Sequence, residues 1–133
     1  MNTVLLVIGS IFVVIAALFH VYIFTLESVT WSNPRTWRVF GVANQADAET
    51  IKPMAFNQGF YNLFLGITAG LGVTLLGATM PVALTLITVG AGSMVLAAVV
   101  LFSTSPVNRR SAIIQGGPPL IGLVFLLVSA LVG

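Results

Sequence analysis

Histidine occurs once in this chain, at His20, and seven residues further on stands Glu27, one of only three acids. At about 100° per residue that spacing returns almost to the same helical face, so His20, Phe24 and Glu27 are expected to form one stripe about 10 Å long. An imidazole titrates near neutrality and can act as base or acid, and a carboxylate beside it can orient or charge it. Both groups close an otherwise apolar run. Placing ionisable groups at the end of a lipid-spanning helix is costly, which makes a functional site with partners elsewhere the first expectation and His20 and Glu27 the candidate catalytic pair.

The partners come from a second stretch, Phe56-Asn57-Gln58-Gly59-Phe60-Tyr61-Asn62, and from Gln115. Asn57 and Tyr61 are i,i+4 neighbours, as are Gln58 and Asn62, so the four are expected to make a continuous polar patch over two helical turns. With Gln115 they are neutral donors and acceptors that fix a ligand by geometry rather than by charge, and all five are candidate ligand-binding residues. His20 and Glu27 with amides alone make a poor transition-metal site. No phosphate-binding glycine loop, nucleophile elbow or ligand cluster at metal spacing occurs, so neither metal nor cofactor is expected.

The elements that must position these residues are membrane helices. A mean hydropathy of +1.10 with 6% charged residues over 133 residues leaves too little polar surface for a soluble domain. The length accommodates about four spans of roughly 20 residues each. They are read at about 3–26, 54–76, 82–102 and 112–132, giving an all-α integral membrane protein, a single domain with its four helices in an antiparallel bundle. A cleaved signal peptide is the rival for the first span, but no Lys or Arg precedes the apolar run. The absence of cysteine rules out disulfides and thiolate chemistry and leaves the redox compartment open.

Between the first two spans, residues 27–53 read as a long polar connection. Within it Asn33 is a cap and Pro34 a first helical residue, which predicts a short interfacial helix with Trp37 and Phe40 among the headgroups and Arg35 and Arg38 near phosphates. A plain aromatic belt accounts for the same residues. The second span is expected to open just after Pro53. In the last, Gln115-Gly116-Gly117-Pro118-Pro119 should interrupt regular helix, because two prolines remove two donors.

All five Lys and Arg residues fall between the first and second spans or between the third and fourth. The positive-inside rule then puts both basic loops in the cytoplasm and both termini outside the cell membrane. This charge distribution reports orientation, not nucleic-acid binding. It also gathers the polar residues of every span at one depth.

The run His20-x-Tyr22-Ile23 with Glu27, then Trp31, Pro34 and Phe40-Gly41, then Asn57-Gln58-Gly59 with Tyr61-Asn62-x-Phe64-Leu65, and finally Arg109-Arg110 before Gln115-Gly116-x-Pro118 resembles a family of small four-helix membrane proteins, domain of unknown function 1304. Pro119 departs from the small residue expected there. The resemblance implies four spans and a polar cluster of His20, Glu27, Asn57, Gln58, Asn62 and Gln115, without an established activity.

Three functional readings stand at this point. The polar cluster can line a pocket near the cytoplasmic face that binds, or transforms, a small apolar or lipid-like molecule with one polar end. Glu27 can instead couple protons to export in a homodimer, although it lies at the end of its span rather than at mid-membrane. The same side chains can also simply lock helices together. Membrane lipids are the expected partners in each case. Glu27 has a further alternative, pairing with Arg35 or Arg38 in the interface.

Overall fold

A computed structural model describes all residues, Met1–Gly133. Every regular element is helical: α1 (Thr3–Phe24), a single wide π-helical turn (Thr25–Val29), α2 (Pro34–Val39), α3 (Gln45–Thr74), α4 (Met80–Thr104), a 3-10 turn (Pro106–Asn108) and α5 (Arg109–Leu131). Asparagines start three of the helices. Asn2, Asn33 and Asn44 accept from the backbone N–H groups of Leu5, Arg35 and Asp47, satisfying donors that a first turn leaves free. α1 packs on α3 and α5, α4 packs on the same two helices, and α1 and α4 barely meet.

The interior of this packing is small. Val13, Ala16, Ala17, Ala69, Ile87, Met94 and Leu126 form the main buried cluster. Glycines mark the closest crossings: a Cβ on Gly66 would lie 2.9 Å from the Ala17 carbonyl, and one on Gly90 would lie 2.8 Å from the Ala69 nitrogen. The large side chains point the other way, with Val4, Ile11, Leu18, Leu96 and Leu127 more than half exposed. Such a distribution suits a lipid surround, where close backbone approach holds helices together and apolar side chains face outward. Three stretches, Thr3–Val29, Met80–Thr104 and Pro106–Leu131, are long and apolar enough to cross a membrane.

Four spans were expected from the sequence, and α3 is not among these three. Asn57, Gln58, Tyr61 and Asn62, together with the charges of its first turns, dilute its apolar character. Nor does α3 open after Pro53. It starts at Gln45 and carries Pro53 inside. The Asn44 cap holds its first turn, and Ala48 and Ala55 pack on Trp31 and Trp37 in a second cluster. The Trp31 indole donates to the Ala48 carbonyl at 2.9 Å. Tertiary packing thus holds two turns of helix ahead of a proline that costs them one hydrogen bond.

α2 forms where the Asn33-Pro34 signal predicts. Its exit is a Schellman closure: Gly41 N–H donates to the Arg38 carbonyl and Val42 N–H to the Trp37 carbonyl, with Gly41 at φ +77°. Trp37, however, is not at the headgroups. It is 3% exposed, in one buried cluster with Trp31, Ala48 and Ala55, because α2 packs back onto the π-helical turn. The expected interruption in the last span is also absent, since α5 runs unbroken through Pro118 and Pro119. Those prolines deprive only the Ile114 and Gln115 carbonyls of helical donors, and Pro119 is fully buried, so packing offsets the loss.

Candidate functional site

His20 and Glu27 face the same cavity, of about 500 Å³. α1 contributes Phe19, His20, Tyr22 and Ile23, the π-helical turn Leu26 and Glu27, and α3 Gln58 and Asn62. From α4 come Ala97 and Leu101, and from α5 Ser111, Ile114 and Gln115; Val39 and Phe40 at the end of α2, with Asn108, close one side. One part of the wall is therefore polar and the remainder aliphatic and aromatic. The volume lies within the range of small-molecule sites, about 300–1,000 Å³.

His20 is 2% exposed, and its Nδ1 lies 2.9 Å from the Ala16 carbonyl, one turn back on α1. A carbonyl only accepts, so Nδ1 carries the proton and Nε2 of the neutral ring is left as an acceptor. Nε2 has no partner within the protein. The Phe19 ring meets the imidazole edge-on, centroids 6.3 Å apart. Glu27 is 8% exposed and accepts from Asn62 Nδ2 at 2.8 Å. The second hydrogen of that amide goes to the Gln58 carbonyl at 3.2 Å. Both donors of Asn62 are thereby committed, and its Oδ1 stays free to accept.

The turn that carries Glu27 is the local device of the site. Thr30 N–H donates to the Thr25 carbonyl five residues back, so the helix widens as α1 ends. Wide turns of this kind recur at functional sites, where they re-aim one side chain relative to regular helix. Gly59 of α3 lets the turn approach: a Cβ there would run into Ser28 Oγ and sit 3.1 Å from both Glu27 Cβ and Ser28 N. Ser28 Oγ donates to the Phe56 carbonyl at 2.8 Å and fastens the turn to α3.

Of the residues singled out from sequence, His20, Glu27, Gln58, Asn62 and Gln115 are brought together. Asn57 and Tyr61 are not. They lie about 100° round α3 from Gln58 and Asn62, and both are exposed away from the cavity, so the expected continuous patch divides in two. Phe24 also leaves the stripe, turning to the Phe60 ring of α3 at 5.1 Å. Glu27 forms no ion pair with Arg35 or Arg38, and the single salt bridge is Lys52 to Glu49 at 3.9 Å. No group of three His, Cys, Asp or Glu side chains is placed to hold a metal ion.

Tyr22, Val39, Phe40, Asn108 and Ser111 line the cavity without having been singled out as site residues. Ser111 was within reach, since it stands one turn before Gln115 on the same face. Val39 and Asn108 carried no such signal, because only the fold of the two connecting segments brings them in. A family model described as a protein of unknown function (DUF1304) matches residues 14–127, which include every side chain of the cavity. No curated protein and no solved structure matches the chain.

Proposed function

The chain belongs to the DUF1304 family of proteins of unknown function, and from that premise we propose that it is a four-span membrane protein whose cavity binds a small apolar or lipid-like molecule with one polar end. The observation that carries this reading is the cavity's division into a wall of His20, Glu27, Gln58, Asn62 and Gln115 and a wall of apolar side chains.

The fourth crossing is α3. Its outer face between residues 64 and 71 presents Phe64, Ile67 and Leu71, each about half exposed, as lipid-facing side chains would be. Of its polar side chains, Gln58 and Asn62 line the cavity, while Asn57 and Tyr61 stay exposed at the end of α3 nearest the basic segments. An antiparallel bundle is supported by pairs that run in opposite senses: Gly9 with Leu126 and Gly122 with Val13, Gly59 with Ser28 and Gly66 with Ala17, Gly72 with Ile87 and Gly90 with Ala69. Arg35, Arg38, Lys52, Arg109 and Arg110 all lie on the segments at the cavity end. By the positive-inside rule the cavity then belongs to the cytoplasmic half and both termini lie outside.

Native mass spectrometry of the purified protein tests the binding reading. The wild-type chain is expected to carry a lipid-like molecule, and His20→Ala to lose it while remaining folded. A wild-type chain with nothing bound, or a bound molecule indifferent to His20→Ala, rejects the site. Burial of the Glu27 carboxylate on the wall favours a second reading, proton-coupled export. That reading requires flux driven by a pH gradient and lost in Glu27→Gln; unchanged flux removes Glu27 as the coupling group.

A further inference from the structure

The polar wall is unequal in what it offers. Three groups of the wall are left able only to accept once the protein's own hydrogen bonds are counted. His20 Nε2 is one, because Nδ1 donates to Ala16. Glu27 Oε1 is the second, because Asn62 reaches only Oε2. Asn62 Oδ1 is the third, its amide hydrogens being committed to Glu27 and Gln58. The groups that still carry donors are neutral and can also accept: the amides of Gln58, Gln115 and Asn108, the last with one hydrogen already given to Ser105 Oγ, and the hydroxyls of Tyr22 and Ser111.

No Lys or Arg lines the cavity, although cations are close in the chain. Arg38 precedes Val39, yet its guanidinium lies over the Trp37 ring, 5.1 Å from the centroid. Arg109 follows Asn108, yet it lies over the Phe102 ring at 5.1 Å and its Nε donates to the Phe102 carbonyl at 3.3 Å. Neither Trp37 nor Phe102 belongs to the wall. Those two positive charges are thus engaged elsewhere, Arg110 beside Ser111 is exposed and does not line the cavity, and an anion buried there would have no cation to offset it.

Building on the binding reading above, we propose that the polar end of the bound molecule is a hydrogen-bond donor, the hydroxyl of an alcohol or the nitrogen of an amine, and that carboxylate and phosphate headgroups are refused. A hydroxyl or an amine hydrogen satisfies Nε2 or Oε1 directly, and a cationic amine adds charge attraction to Glu27. The apolar tail lies against Phe19, Ile23, Leu101 and Ile114.

The test compares dodecanol, dodecylamine and dodecanoate at equal mole fraction in phosphatidylcholine nanodiscs, reading the adducts retained by the wild-type chain in native mass spectrometry. The alcohol, the amine or both are expected to be retained over the carboxylate by about tenfold or more, the factor that follows from leaving one charged group without a partner. Glu27→Gln separates the sources: it reduces amine retention and spares the alcohol. Gln58→Lys, at an exposed rim position, is expected to reverse the preference towards dodecanoate. Dodecanoate retained by the wild-type chain as well as the other two overturns the proposal and leaves the binding reading standing. Retention of none of the three overturns both. Because the comparison of headgroups is made on the wild-type chain, it does not depend on any variant folding.

Discussion

Asn62 is the residue that fixes the acid of the candidate site to α3. Its single amide group donates to Glu27 and to the Gln58 carbonyl, tying the end of α1 to the middle of α3. Interhelical hydrogen bonds of this kind contribute about 1 kcal/mol or less, because an unfolded helix in lipid also finds partners. A double-mutant cycle of Asn62→Leu with Glu27→Leu, followed by thermal unfolding in detergent, is expected to give a coupling of about 1 kcal/mol. A coupling near zero would mean that the pair does not hold the wall together. His20 and Glu27 were legible in the sequence, since ionisable groups are rare in this chain and cost free energy in an apolar run. The division of Asn57 and Tyr61 from Gln58 and Asn62 was not. Neighbouring positions differ by only about 100° round a helix, and the rotation of α3 about its axis is set by contacts at Gly59 and Gly66 that no local pattern encodes.

Among the elements, the π-helical turn decides where Glu27 goes, and it is stable only because α3 offers a position without a side chain. Gly59→Ala is expected to push the turn away from α3, break the Ser28 to Phe56 bond and lower stability by roughly 1–3 kcal/mol, the usual cost of overpacking. Ligand retention should fall with it. Gly77→Ala, where an added Cβ meets nothing within 4 Å, should leave both unchanged. Equal melting temperatures for the two variants would show that the close approach at Gly59 contributes nothing. The helix signals that rest on one or two residues held: the Asn33 cap and Pro34 at the first helical position. The prolines were harder. Pro53, Pro118 and Pro119 each read as a boundary, because a missing N–H and a crowded ring disfavour regular helix locally. Each is carried inside a helix whose neighbouring turns are packed on both sides.

At the scale of the whole molecule, the chain is a helical assembly with its small residues inside and its large apolar ones outside. Topology is open to direct measurement, because the chain has no native cysteine. Ser32→Cys and Ala78→Cys, both at exposed positions at opposite ends of the proposed bundle, are expected to differ in intact cells. A membrane-impermeant thiol reagent should label the Ala78 site and spare the Ser32 site. Labelling at Ser32 from outside would overturn the orientation and the cytoplasmic placement of the cavity together.

The sequence by itself determined the helical class, the apolar character and the two ionisable residues of the candidate site, because each depends on composition or on short-range periodicity, and it carried the family in motifs spread from His20 to Pro118. Tertiary structure alone decided which amides join those residues, that Trp37 lies inside the protein, and that Val39, Phe40 and Asn108 close the cavity. Those outcomes depend on how far each helix is rotated and how closely it approaches its neighbours. Rotation and approach are fixed by contacts between residues tens of positions apart, such as Gly59 with Ser28 and Asn62 with Glu27, whose meeting no local spacing records.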